Sequence, residues 1–403
     1  MPLATIEPDD LGEGERLVLN FGPQHPAMHG TLRAILELDG ERIVKATPEI
    51  GYLHTGFEKL GEHRTYNQWI TASDRMNYLS AFANNVGFAL AVEEMVGIEA
   101  PPRAQVLRVL LAELTRIADH VLCVGLQAMD VGAFTPMLWG FTEREKVYDI
   151  LQVACGSRLT TSYTRIGGLF RDVPEDFPAL VTKFLDGFPS FLADFEGLLQ
   201  QNRIFRDRVD GVGVIAERDV FDYSLSGPIA RAAGVDRDIR RVRPYQGYET
   251  YDFEVPVHAA GDSYARFLQR LAEMRESAKI ARQALERLKP GPVILQDHKF
   301  TIPEKRETYS DMEALIHHFK MIMEGHGFLP APGAEWYSAT ESPNGELGFY
   351  LMSNGTNKAY RLRVRPPSFL HFQIFKKLVE GRLLGDIVAI LSSLNVVAGE
   401  LDR

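Results

Sequence analysis

The segment VLRVLLAELTRIADHVLCVGLQA, residues 106–128, constrains the fold more than any other. It is apolar over most of a helical surface, so a helix here has little face to leave in water and belongs deep in a bundle. Pro101 and Pro102 precede it, and proline suits a first helical turn because its missing N–H has no partner there anyway. Other helices should surround it. Met76, Leu79, Phe82, Val86, Leu90 and Met95 recur at steps of three to five from about Asp74. A third helix is expected over roughly Glu143 to Arg158. A fourth should run from after Pro174 to about Gln200, with Glu175 and Asp176 at its positive end and Pro189 kinking or breaking it. Residues 263–288 form a long helix with Leu268, Leu271, Met274, Ala278, Ala281 and Leu285 on one face.

The two ends read differently. RLVLNF, LRAILELDG and ERIVKATPEI are short strand-like runs, with a DG turn at 39–40. After Pro290 a helix near 310–324 and strands near 335–340, 347–352 and 360–364 are expected. Residues 203–257, rich in Arg, Asp and Gly, read as an irregular lobe. The expected fold class is α+β, mainly helical. A β-rich region (1–70) and a mixed α/β region (331–403) flank a central helical bundle (71–330).

Several function classes fall away. A net charge of -10 repels phosphate, so nucleic acid is a poor partner. The acidic N-terminus has no apolar h-region of a secretory signal. No uncharged apolar run approaches the ~20 residues that span a bilayer, so any membrane role comes through a partner. There is no GxGxxG after a strand, no GxxxxGK[ST] and no HExxH. The two cysteines, Cys123 and Cys155, exclude a disulfide scaffold and cannot supply the four thiolates of an iron–sulfur cluster.

Three features could carry chemistry. In GPQHPAMHG, residues 22–30, two prolines and two flanking glycines make a loop, so His25 and His29 do not share a helical face. The loop either satisfies its histidines internally or projects an imidazole into a cavity, where a reference pKa of ~6.5 suits proton exchange. In TASDRMNYLSAFANNVGFAL, residues 71–90, Asp74 reads as an N-cap with Tyr78 about one turn on; the tyrosine is otherwise an ordinary amphipathic surface residue. Asp130, in GLQAMDVGAFTP, stands where a helix meets a loop and would by itself be a solvated helix end.

These segments, in this order, resemble the complex I subunit that forms most of the quinone headgroup pocket, a family similar to the large subunit of nickel–iron hydrogenases. The resemblance also rests on IGYLHTGFEK (50–59), DRMNYLSAFANN (74–85), the run Tyr360–Arg365 with Pro366, and the terminal GELDR, and covers essentially the whole chain. It implies a hydrogenase-large-subunit-like fold without the two CxxC pairs that hold the ancestral metal. It implies that His29 and Tyr78 contact the quinone and that Asp130 pairs with His29. Reducing a quinone places negative charge in a low-dielectric pocket. Donors aimed at its two oxygens stabilise that charge, and proton delivery removes it. A carboxylate beside an imidazole favours the ring's charged form and keeps a proton at hand.

By the same resemblance the chain works only within a proton-translocating NADH:quinone oxidoreductase. It would lie peripherally on the cytoplasmic side of a bacterial inner membrane. Its partners would be a cluster-bearing peripheral-arm subunit, the adjacent peripheral-arm C subunit and the quinone-channel membrane H subunit. Quinone is the substrate, the iron–sulfur cluster sits on a partner, and FMN and NADH bind elsewhere. Thr55, Arg75 and Thr160 would lie near the partner's cluster. Thr55 stands where many relatives have arginine and Thr160 where many have histidine. Fewer cationic groups there would lower the cluster potential, which suits menaquinone. The other reading is a non-catalytic scaffold in a hydrogenase-related ion-pumping complex.

Overall fold

Period-two alternation at the N-terminal end produces an antiparallel sheet of β1 (Arg16–Phe21), β2 (Arg33–Asp39) and β3 (Arg42–Glu49), with β2 central. Its register sets Phe21 opposite Ala34 and Leu36 opposite Ala46, turning Ala34, Leu36 and Leu38 into the core. The computed structural model describes residues 16–323 and 326–403; the acidic N-terminal stretch lies outside them.

Helices follow: α1 (Phe57–His63), α2 (Tyr66–Ser73), α3 (Ala81–Val96), α4 (Pro102–Asp130) and α5 (Phe134–Cys155). After a small ribbon of β4 (Thr164–Arg165) and β5 (Gly168–Leu169) comes α6 (Phe177–Leu199). The region expected to be irregular is built from α7 (Arg203–Val209), α8 (Glu217–Asp222), α9 (Gly227–Ala232), α10 (Ile239–Val242) and loops. Then come α11 (Ser263–Glu286), α12 (Lys305–Ser310) and α13 (Met312–Ile322). A second antiparallel sheet, β6 (Glu335–Ser342), β7 (Gly345–Ser353) and β8 (Ala359–Arg365), precedes α14 (Pro367–Gln373), α15 (Phe375–Val379), α16 (Asp386–Leu394) and α17 (Ala398–Asp402). The chain is thus mainly helical α+β. No helix of the described residues is long and apolar enough to cross a membrane.

As its composition demands, α4 is central and packs on α5, α11 and α16. Leu107, Leu110, Leu111 and Leu114 have no exposed surface, and each such burial is worth about 1.5–3 kcal/mol. Against α5 lies α6, whose Phe184, Phe188, Phe191 and Phe195 form one aromatic stripe with ring centres 5.5, 6.0 and 5.4 Å apart.

Three expectations need correction. Pro189 does not break α6, which runs on from Phe177 to Leu199: the proline is exposed, and the buried phenylalanine face holds the helix across the one backbone hydrogen bond lost. The third helix begins at Phe134, well before Glu143. On α11, Leu271, Met274 and Ala281 are buried, but Leu268, Ala278 and Leu285 are only partly so. Its inner face also carries Arg266, Gln269, Arg270, Glu273 and Ser277, all buried. Polar partners on α4, α9 and the loops make that burial tolerable.

Candidate functional site

The GPQHPAMHG loop contains one 3-10 turn, Pro26–Met28, and its two histidines have separate tasks. His25 Nδ1 accepts the Ala27 N–H at 3.3 Å, and its ring packs 4.2 Å from that of Phe21, so it is spent on the turn. His29 sits at φ +53°, a left-handed backbone that non-glycine residues rarely adopt. That conformation aims its ring at the end of α4, where Nε2 lies 2.6 Å from Asp130 Oδ2. Asp130 is not a solvated helix end: its side chain is 4% exposed. A carboxylate at the negative end of a helix dipole is unfavourably placed, and the imidazole is the group that offsets it.

Asp74 is not an N-cap. Thr65 and Gln68 start α2 with a reciprocal capping box, and Asp74 terminates that helix. The end of α2 is held by asparagines of α3: Asn84 Nδ2 donates to the Ser73 carbonyl at 3.1 Å, and Asn85 Nδ2 to the Ile70 carbonyl at 3.2 Å. Between the helices, Asn77 Oδ1 accepts from the N–H groups of Leu79 and Ser80 at 3.2 and 3.3 Å. Tyr78 therefore rides on a non-helical turn. It is half-buried, its hydroxyl bonds to no described residue, and burial pushes its pKa up.

Helix α17 joins the loop to this turn. At Gly30 (φ +159°) an added Cβ would lie 2.8 Å from Ala398 Cβ. At Gly399 it would lie 2.8 and 2.9 Å from the Met76 and Arg75 carbonyl oxygens and 3.4 Å from the Tyr78 ring. The next residues are stapled to IGYLHTGFEK. Asp402 accepts the Gly51 and Leu53 N–H groups at 2.9 and 2.7 Å, its carbonyl lies 2.8 Å from His54 Nδ1, and Arg403 stacks 4.2 Å over Phe369. A cavity of ≈ 350 Å³ lies here, lined among others by His54, Glu58, Arg361 and Arg403; His29, Tyr78 and Asp130 do not line it. Gly399→Ala should cost about 1–3 kcal/mol of stability, the cost of overpacking against backbone, and so lower the thermal unfolding midpoint. Gly187→Ala, with nothing within 4 Å on a helix, should be neutral or stabilising. Equal midpoints for the two variants would show that α17 and the Tyr78 turn part freely.

Of the remaining positions, Arg75 is exposed and donates to the Thr71 carbonyl, while exposed Thr55 Oγ1 donates to Leu53 O at 3.2 Å. The Thr160 carbonyl accepts from Ser157 Oγ at 2.8 Å. Ser162, two residues on, bonds to Asp74, so the Thr160 segment lies against the turn that carries Arg75. Thr55 is instead held in the Asp402 staple. Among the described residues no group of three or more His, Cys, Asp or Glu could hold a metal ion.

The sequence reading missed a buried ionic cluster. Arg231 touches Glu273 at 2.9 Å and Glu341 at 2.8 Å. Arg240 joins Asp238 at 2.6 Å to Glu113 at 3.1 Å, Arg116 meets Glu113 at 3.2 Å, and His120 Nε2 lies 3.0 Å from Glu273. The neighbouring guanidiniums hold Asp238 down to about 2 and Glu273 well below the carboxylate range, outweighing burial, whereas burial and the Asp238 charge raise Glu341. The available signal was Arg266, Gln269, Arg270, Glu273 and Ser277 recurring at helical spacing on one face of α11.

Residues 130–403 match the family model described as respiratory-chain NADH dehydrogenase, 49 kDa subunit. The chain is 50% identical to the NADH-quinone oxidoreductase D subunit of Geotalea uraniireducens, over 96% of this chain and 99% of that one. Proteins of the same name from Trichlorobacter lovleyi and Methylacidiphilum infernorum are each 48% identical, over 98% and 97% of this chain and 100% and 93% of theirs.

Proposed function

The chain belongs to the family of the respiratory-chain NADH dehydrogenase 49 kDa subunit, and from that premise we propose that it forms the quinone headgroup site of an NADH–quinone oxidoreductase complex. The observation that carries this reading is that α17 packs against both segments, Ala398 beside Gly30 of the His29 loop and Gly399 beside the turn that carries Tyr78. His29 is backed by Asp130 at 2.6 Å, and the Tyr78 hydroxyl has no partner among the described residues. Burial disfavours phenolate, so Tyr78 keeps its proton at neutral pH and can donate it only to a strong base such as a reduced quinone oxygen. His29 serves the second oxygen, with Asp130 holding its ring in place at 2.6 Å.

We assign the source of the electrons to another chain. Cys123 is buried and its thiol is pushed up to about 11, so it does not present a thiolate, and Cys155 is half-buried and also raised by burial. We assign the cluster to a partner subunit, with Thr55, Arg75 and Thr160 on the surface facing it, and NADH and FMN elsewhere in the complex. The adjacent peripheral-arm subunit and the quinone-channel membrane subunit complete the cavity. Proton translocation and the cytoplasmic face of a bacterial inner membrane belong to the same proposal.

A short-chain quinone carrying a photoreactive group tests the site directly. In the assembled complex it should label the peptides containing residues 22–30 and 74–80 of this chain, and excess ubiquinone or menaquinone analogue should suppress the label. Labelling confined to other segments would overturn the assignment.

A further inference from the structure

One buried acid has no part in the chemistry above. Glu400 lies on α17 beside Gly399, and its side chain is fully buried. Its Oε2 accepts the Ser368 N–H at 3.2 Å and meets the Ser368 hydroxyl. The Asn77 side chain lies near its carboxyl, and Glu400 Oε1 and Asn77 Nδ2 are both buried without a hydrogen bond of their own. Asn77 spends its own oxygen on Leu79 and Ser80, so the group beside Glu400 shapes the turn that carries Tyr78. The Ser368 hydroxyl donates to Oε2 and accepts the Val397 N–H at 3.3 Å, which ties the carboxyl to α14. A carboxylate there has no cation to balance it.

The charged and titratable neighbours are few. Asp119 on α4 faces Glu400 and opposes a second negative charge. On α14 the titratable group is His371, which accepts the Ser226 N–H at 3.2 Å instead. In the turn, Asp74 is bonded to Ser162 and Arg75 points to the Thr71 carbonyl. On α17 and its end, Asp402 is taken by residues 51 and 53, and Arg403 lies 3.5 Å from Glu58. His29, in the loop against Ala398, is paired with Asp130.

We propose that Glu400 is a positioning residue for Tyr78: as a neutral acid it locks the Asn77–Tyr78 turn onto α17, and as a carboxylate it releases the turn. Its importance for quinone reduction rests on the role proposed above for Tyr78; the lock itself does not. Burial and the Asp119 charge raise Glu400 to about 7 in the closed site, against an ordinary value of 4.5 once the turn opens to water. The lock is therefore fully present below the open-state value, weakens as pH rises towards 7, and stays weak above.

Hydrogen exchange measured by mass spectrometry on the assembled complex tests this. After correction for the intrinsic rate, exchange in residues 75–80 should rise by on the order of tenfold or more between about pH 5.5 and pH 7 and then level off. In Glu400→Gln, which cannot ionise, it should not change with pH. A flat wild-type profile overturns the proposal, and so does a rise that persists undiminished in Glu400→Gln. If that variant fails to assemble, the wild-type profile decides alone. This readout does not require Tyr78 to touch quinone, so its failure is separate from failure of the photolabelling.

Discussion

Tyr78→Phe is expected to assemble normally, to pass electrons from NADH as far as the partner's cluster, and to lose at least about tenfold in quinone reduction. The substitution keeps the half-buried ring against Gly399 and removes only a hydroxyl that bonds to no described residue. Packing and hydrogen bonding of the resting chain are therefore preserved, and the loss falls on the reacting quinone. Tenfold corresponds to ~1.4 kcal/mol of barrier, about one ordinary hydrogen bond. A loss beyond about a hundredfold would mean that the phenol also delivers its proton. The measurement is quinone reductase activity of assembled complex, with an artificial acceptor as the control for upstream electron flow. Full activity with several short-chain quinones would reduce Tyr78 to a packing residue. His29→Ala is a poorer probe, because it empties volume and leaves Asp130 buried at a helix end without its partner.

Arg231→Met should have the largest effect on stability. Arg231 is fully buried between Glu273 and Glu341, with Asp238 at 3.7 Å. Methionine roughly fills the stem's volume but leaves these carboxyls facing one another. Breaking a buried pair in this way costs about 3–5 kcal/mol, a large part of the roughly 5–15 kcal/mol that holds a domain together. The yield of assembled complex should fall sharply, and the chain that does assemble should inactivate at lower temperature. Arg203→Ala, at the exposed pair with Asp207, should cost less than about 0.5 kcal/mol. Equal inactivation temperatures for the two variants would show that the cluster is already neutralised by protonation, with Glu341, the raised carboxyl, as its acceptor.

The site was legible in pieces. His29, Tyr78 and Asp130 stood out through loop composition, a helix boundary and family resemblance, and the structure sets the first and third side by side. Asp74 was misread because the periodic stripe from Met76 onward looks continuous. The interruption comes from Asn77 capping two N–H groups within its own turn, and from Asn84 and Asn85 donating back to α2. Asparagines spaced this way are equally compatible with a helix surface, so period alone does not expose the break. The same limit hid Glu400 and the α11 charges: a buried carboxyl and an exposed one have the same letter.

Side-chain periodicity is a local property, so the sequence by itself determined the strands at both ends, the central position of α4 and the long α11. Which polar groups meet was decided only by tertiary structure. Asp402 reaches Gly51, Ser368 reaches Glu400, and Asn395 reaches Asp119 at 2.8 Å, each across a separation that carries no periodic signal. Desolvation then gives those meetings their force. The same Glu and Asp that cost little in water must find a partner or keep a proton once α4, α11 and α17 close over them.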